Sequence, residues 1–219
     1  MVAKKNSNED RSGLFDKWAS GYDDSVESTN SFPFAGYNKV LDTLIECADV
    51  NPGMCVLDLG TGTGNLAGRF VDKGCSIWGI DYSVQMIDRA KQKLPDAVLI
   101  RSDILGDWPT ELDRRYDRIV SGYTFHEFDY QTKISLLVRL RNKYLDRYGM
   151  ILIADIAFES LEKHEFARSR WSNLWDEDEY YWTADETIPA CKEVGIDANF
   201  HPISDCGGVF VFTPVYKLT

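Results

Sequence analysis

Basic residues are scarce in this 219-residue chain: 24 Lys and Arg stand against 35 Asp and Glu, a formal charge of −11. Nucleic-acid-binding proteins carry a basic footprint for phosphates, so no extended DNA or RNA partner is expected. The same charge disfavours an anionic membrane surface. There are three histidines and five cysteines. Cys47, Cys55, Cys75, Cys191 and Cys206 are odd in number and scattered, without a C-x-x-C pair. A structural zinc site is therefore not expected, and reduced thiols in a cytoplasmic protein are the simplest reading. No apolar run approaches the roughly 18 residues needed to span a bilayer. Met1 to Arg11 is polar and lacks the apolar stretch of a secretory signal.

Hydrophobic residues make up 44% of the chain and aromatics 13%. A chain of this length buries enough surface to form one domain without staples. The aromatic content suits either an aromatic-rich core or an aromatic-lined pocket. Residues 1–12 are polar and aperiodic, and are expected to be disordered. An amphipathic segment follows at Leu14 to Ala19. Tyr37, Val40, Leu41, Leu44, Ile45 and Ala48 form a helical stripe. Asn51-Pro52-Gly53 is a turn.

From there strands and helices alternate. Strands are expected at Cys55–Leu59, Ser76–Ile80, Ala97–Ile100, Tyr116–Ser121 and Gly149–Ile156. Helices are expected at Leu66–Asp72, after an N-cap at Ser83, and over Gln131–Tyr148. This alternation implies βαβ units and a doubly wound, mostly parallel sheet. Ala198–Ser204 and Val209–Lys217 flank Asp205-Cys206-Gly207-Gly208, which reads as an antiparallel β-hairpin at the sheet edge. Residues 157–182 break the alternation with aromatics and acids. Ala167, Trp171, Leu174 and Trp175 recur there at helical spacing. They suit a buried helix face, or a lid over a substrate together with Tyr180, Tyr181 and Trp182. Asp176 to Glu179 reads as a solvated face. Arg168 and Arg170 suit surface pairing with Glu162 and Glu165, or an anionic ligand.

The most informative stretch is Asp58-Leu59-Gly60-Thr61-Gly62-Thr63-Gly64-Asn65, between the first strand and its helix. Glycines allow a sharp turn and a close ligand approach, so this loop can cradle a pyrophosphate or a carboxylate. Gly62-x-Gly64-x-x-Ala67 formally matches a dinucleotide fingerprint, but its first glycine stands three residues beyond the strand end. With Gly60 first, the third position is Asn65 and the fingerprint fails. Asp81 follows Gly60 by 21 residues, at the tip of the second strand. A carboxylate there can accept both ribose hydroxyls. Asp103 ends the third strand and suits either a turn cap or a ligand contact.

Asp58-x-Gly60-x-Gly62-x-Gly64, Asp81, Asp103-Ile104 and Tyr116-Asp117-Arg118-Ile119-Val120-Ser121 occur in order over about residues 50–155. Together they resemble class I S-adenosylmethionine (SAM)-dependent methyltransferases of the small-molecule type. Trp18-Ala19-x-x-Tyr22-Asp23, Tyr123-x-Phe125-His126 and Ala154-Asp155-x-x-Phe158-Glu159 narrow the likeness to the YrrT-type bacterial group. That group often carries His where this chain has Glu127. The resemblance implies a Rossmann-like seven-stranded sheet, with residues 13–36 as an N-terminal lid. It implies SAM as cofactor and S-adenosylhomocysteine (SAH) as product. Tyr22, Asp58, Gly60, Thr61, Gly62, Asp81, Tyr82, Met86, Asp103, Ile104 and Ser121 would then bind the cofactor. Asp58 would reach its amino group, Asp81 its ribose and Asp103 its adenine.

Methyl transfer is an in-line displacement that mainly requires alignment and exclusion of water. His126 is the candidate base, though a hydrogen-bonded histidine opening a helix reads equally well. Tyr22 can close over the methyl site. Glu127 suits either orientation of His126 or a solvated surface, and Asp155 either substrate binding or a turn cap. The expected partner is a small-molecule acceptor, with the chain a monomer or homodimer. No Asn/Asp-Pro-Pro-Tyr/Phe motif follows the fourth strand, which weighs against DNA or glutamine acceptors. A non-catalytic SAM-binding protein and an NAD(P)-dependent oxidoreductase are the rival readings.

Overall fold

The computed structural model describes residues 21–28 and 31–215. The polar terminus, the segment at Leu14–Ala19 and the end of the last expected strand lie outside them. Among the described residues eight strands form one mixed sheet, β1 (Cys55–Leu59), β2 (Ser76–Asp81), β3 (Val98–Arg101), β4 (Tyr116–Gly122), β5 (Leu145–Phe158), β6 (Trp182–Thr183), β7 (Ile196–Pro202) and β8 (Gly207–Pro214). Their order is β3-β2-β1-β4-β5-β8-β7, with the short β6 paired to β5 off this path. β8 runs antiparallel to β5 and to β7, while β1 to β5 are mutually parallel. The doubly wound sheet with an antiparallel edge is therefore as expected.

The helices are α1 (Tyr22–Ser28), α2 (Tyr37–Ala48), α3 (Asn65–Val71), α4 (Val84–Lys93), α5 (Tyr130–Arg139), α6 (Leu161–Arg170) and α7 (Ala184–Glu193). Side chains alternate across each strand, so the sheet feeds two apolar layers. Val56, Ile77, Val120, Leu152 and Ala154 pack with α2, α3 and α4. Leu57, Ile80, Ile119, Ile151 and Ile153 pack with α5 and α7. Local chemistry sets the helix ends. Ser83 and Asp129 cap α4 and α5 by accepting the backbone N–H of Met86 and Thr132. The buried guanidinium of Arg118 donates to the carbonyls of Ala48 and Asp49 at the C-terminal end of α2, where a cation complements the helix dipole.

Two boundaries differ from the sequence reading. The helix expected over 131–148 ends as α5 at Arg139 and passes through a π-turn, Leu140–Tyr144. β5 already starts at Leu145. Apolar residues continue through both parts, and the π-turn buries Leu140 and Tyr144, so periodicity alone did not mark the break. α6 stops at Arg170, so Leu174 lies beyond it and is 56% exposed.

Candidate active site at the carboxyl edge of the parallel strands

The glycine loop leaves β1 with φ of +71° at Gly60, +55° at Gly62 and +87° at Gly64. L-residues avoid this region. At Gly60 a Cβ would also stand 2.2 Å from Thr124 Oγ1, so the loop packs directly on the chain that follows β4. At Gly62 the nearest atom would be 3.9 Å away, which leaves that backbone approachable. The loop is tied to β2, because Gly60 and Thr61 both donate to the Ile80 carbonyl. Asp81 completes the tie: it accepts from Gly62 N–H and from Ser83 N–H, both at 2.9 Å.

Asp58 lies beneath this loop, 1% exposed; the Thr61 hydroxyl and the Ala67 N–H approach its carboxylate without full hydrogen-bond geometry, and among the described residues its one charged neighbour is Asp81. Burial, then the charge of Asp81, pushes its carboxyl up to about 8. A buried unpaired carboxylate is costly, and its chemistry suits a cationic partner. Thr61 donates to the Asp58 carbonyl. Tyr82 lends its carbonyl to Arg101, and Met86 is buried. Ser121 is fully buried and donates to the Leu59 carbonyl at 2.7 Å, which joins β4 to β1. Asp103 accepts from Leu105 N–H as a turn cap, with Ile104 buried beside it.

α1 is docked onto this loop. Asp23 accepts from Thr63 Oγ1 at 2.6 Å, from Asn65 Nδ2 at 3.0 Å and from Lys93 Nζ at 2.6 Å. Tyr22 sets its ring edge-on to Phe34 and hydrogen-bonds Tyr37. Burial, then the nearby Tyr37 and Tyr123, holds the Tyr22 phenol well above its ordinary range. Tyr37 and Tyr123 have ring centroids 5.0 Å apart. Tyr123 sits just past β4 at φ +52°, with its buried hydroxyl unpaired. Phe32 stacks on Trp171 and Trp175 at 5.3 and 5.4 Å. An aromatic wall thus runs from Tyr22 to the 157–182 segment.

Past β4, His126 Nδ1 lies 2.6 Å from Asp155 Oδ1. An ionised carboxylate only accepts, so Nδ1–H donates and Nε2 is left for other partners. Asp155 is fully buried and also accepts from Trp182 Nε1 at 3.0 Å and from Ile156 N–H. Burial pushes the imidazole down, but the charge and hydrogen bond of Asp155, aided by Glu179, outweigh it and raise His126 above its ordinary value. Nε2 faces Glu179 at 3.7 Å and Glu127 at 4.0 Å. Lys133 is buried beside them, donates to the Tyr180 carbonyl and stands 4.3 Å over the Trp182 ring. Burial, partly offset by Asp155 and Asp129, lowers its ammonium to about 8.

Several expectations change here. Asp155, expected to bind substrate or cap a turn, lies fully buried within β5 and orients His126. Glu127 and Glu179 turn inward, with side chains 15% and 20% exposed, and are not a solvated face. Arg168 pairs with Glu177 and Arg170 with Asp205, in place of Glu162 and Glu165. Trp182 belongs to the second core layer and forms no lid. Lys133 was missed because it lies in an amphipathic helix, where lysine normally marks the solvent face. Asp23 carries no signal of its own in the sequence, because its partners Thr63, Asn65 and Lys93 stand 40 to 70 positions away.

Residues 56–143 match the family model described as methyltransferase domain. A methyltransferase of Geobacillus sp. strain WCH70 is 33% identical over 198 residues, which span 86% of this chain and 90% of that protein. This chain is a methyltransferase. The uncharacterized methyltransferase YrrT of Bacillus subtilis is 33% identical over 160 residues, spanning 70% of the chain and 71% of that protein. Among solved structures, DhpI in complex with SAH superposes with a TM-score of 0.71 at 14% identity, over 95% of this chain and 97% of that one. The magnesium protoporphyrin IX methyltransferase of Synechocystis PCC 6803 with bound SAH gives 0.67 at 15% identity, over 92% and 98%. These likenesses carry the fold, and the methyltransferase keeps its glycine loop, its three acids and its His126–Asp155 pair on one sheet edge. No helix among the described residues is long and apolar enough to cross a membrane.

Proposed function

We propose that this methyltransferase moves the methyl group of SAM to a small-molecule acceptor and releases SAH. The observation that carries the reading is Asp58: a buried carboxylate without a cationic partner among the described residues, under an approachable glycine turn, which fits the ammonium of an amino-acid ligand. When bound, SAM supplies an electrophilic methyl carbon on a sulfonium. Asp58 would hold its amino group. Gly60, Thr61 and Gly62 offer loop backbone, and Asp81 holds the ribose while it keeps Gly62 and Ser83 in place. Tyr82, Met86, Asp103 and Ile104 flank the nucleoside. Ser121 shapes the cleft from beneath.

On the acceptor side, Tyr22 and the aromatic wall exclude water. Aromatic faces near a sulfonium add roughly 0.5–2 kcal/mol of attraction. His126, aimed by Asp155, assists loss of the acceptor's proton. Calorimetric titration with SAM and SAH tests the cofactor, with Asp81→Ala as control. Micromolar binding that collapses in the variant is expected, and SAH release across an acceptor panel then reports catalysis. A folded protein that binds neither compound would overturn the reading.

A further inference from the structure

The groups around the outer nitrogen of His126 do more than orient an imidazole. One ligand atom each from His126, Glu127 and Glu179 lies within 4.8 Å of the other two. The His126 ring is buried, and its far nitrogen is fixed at 2.6 Å by the fully buried Asp155. A metal-ligating histidine is commonly held this way, with its second nitrogen donating to a carboxylate. Asp155 is in turn held by Trp182 Nε1 and Ile156 N–H, so the imidazole cannot turn freely. The charge count points the same way. Asp155, Glu127 and Glu179 bring three carboxylates to one imidazole. Lys133, the ammonium packed here, is engaged by the Tyr180 carbonyl and the Trp182 ring. Tyr181 donates a hydrogen bond to Glu179.

We propose that His126 Nε2, Glu127 and Glu179 form a site for one divalent first-row cation at the acceptor side of the cleft. Such a cation lies roughly 2.0–2.2 Å from imidazole nitrogen and carboxylate oxygen, so its ligand atoms stand roughly 3–4 Å apart. The separations of 3.7 and 4.0 Å from Nε2 are at the wide end of that range, so both glutamates must rotate inward to close on the ion. One nitrogen and two oxygens suit Mn²⁺ or Zn²⁺. Three protein ligands leave positions for water or for an acceptor oxygen, whose proton a cation makes easier to lose. The inference rests on His126 as an acceptor-side residue and specifies that it acts through a bound cation.

The test is titration of the chelator-treated full chain with MnCl₂ and with ZnCl₂, followed by calorimetry and, for Mn²⁺, by loss of the free-ion electron paramagnetic resonance signal. One equivalent with micromolar affinity is expected. Glu179→Gln and Glu127→Gln should each weaken it at least tenfold, while Glu127→His retains it. Thermal melts confirm that each variant folds. Absence of saturable binding by the wild type, or binding unchanged in both Gln variants, would overturn the site. SAM affinity measured on the same samples reports separately on the cofactor reading, because neither glutamate is placed at the cofactor, and SAH release reports on methyl transfer.

Discussion

Asp58→Asn separates what the glycine loop costs from what it binds. In the ligand-free protein, burial and Asp81 raise the Asp58 carboxyl from 3.8 to about 8. Between those values the folded chain holds a proton that the unfolded chain has released. Unfolding in that window sheds a proton, so a rise in pH favours the unfolded state. The penalty is absent below pH 3.8, grows by as much as about 1.4 kcal/mol per pH unit, and is complete above the folded value. Its ceiling is on the order of 5 kcal/mol. Asparagine keeps the shape and removes the charge. Urea unfolding of both proteins from pH 5 to pH 8 should therefore show the variant gaining on the wild type by about 2 kcal/mol or more as pH rises. SAM reverses the order: it stabilises the wild type strongly, and its affinity for the variant falls at least tenfold. A stability difference that does not change with pH refutes the protonated carboxyl. A variant that binds SAM as tightly as the wild type refutes the role given to Asp58.

Other perturbations follow from the same contacts. Gly60→Ala meets both a positive φ and Thr124 Oγ1 at 2.2 Å, so a loss of roughly 2–4 kcal/mol is expected in thermal unfolding, with cofactor binding abolished. Asp23→Ala removes the links from α1 to Thr63, Asn65 and Lys93, so proteolysis near residue 24 should accelerate and SAM dissociate faster. Phe32→Ala empties the space stacked on Trp171 and Trp175, which costs roughly 3–5 kcal/mol and shifts tryptophan emission to the red. Asp155→Asn removes the charge that raises His126, so the imidazole titration followed by NMR should move to lower pH. In the wild type that interaction contributes stability below the unfolded-state histidine value, and loses it as pH rises through the folded value. The variant should lack this dependence.

Much of the frame was legible because it is local. Val56-Leu57-Asp58-Leu59 followed by spaced glycines marks a strand that turns tightly into a helix. The same reading located β2, β3 and β4 to within two residues. Where local signals were weak, the reading slipped. Leu136, Leu140 and Tyr144 keep helical spacing through the π-turn, and that continuity hid the break. Arg168 has Glu162 and Glu165 nearby in sequence, yet α6 and the turn after it bring Glu177 into its reach.

By itself the sequence determined the alternation of β1 to β5 with their first helices, the C-terminal hairpin, the glycine loop, and the acids Asp58, Asp81 and Asp103 at strand ends, while β6 and α7 carried no signal that marked them. Each depends on backbone conformation and side-chain alternation within about ten residues. Only the tertiary structure decided the partners of those groups: Asp23 on Thr63 and Lys93, Asp155 beneath His126, Glu179 facing its other nitrogen, and Lys133 under Trp182. Those pairs join residues 29 to 70 positions apart. Which charges meet depends on how the sheet crosses over and packs, because burial makes an unmatched charge too costly to leave alone.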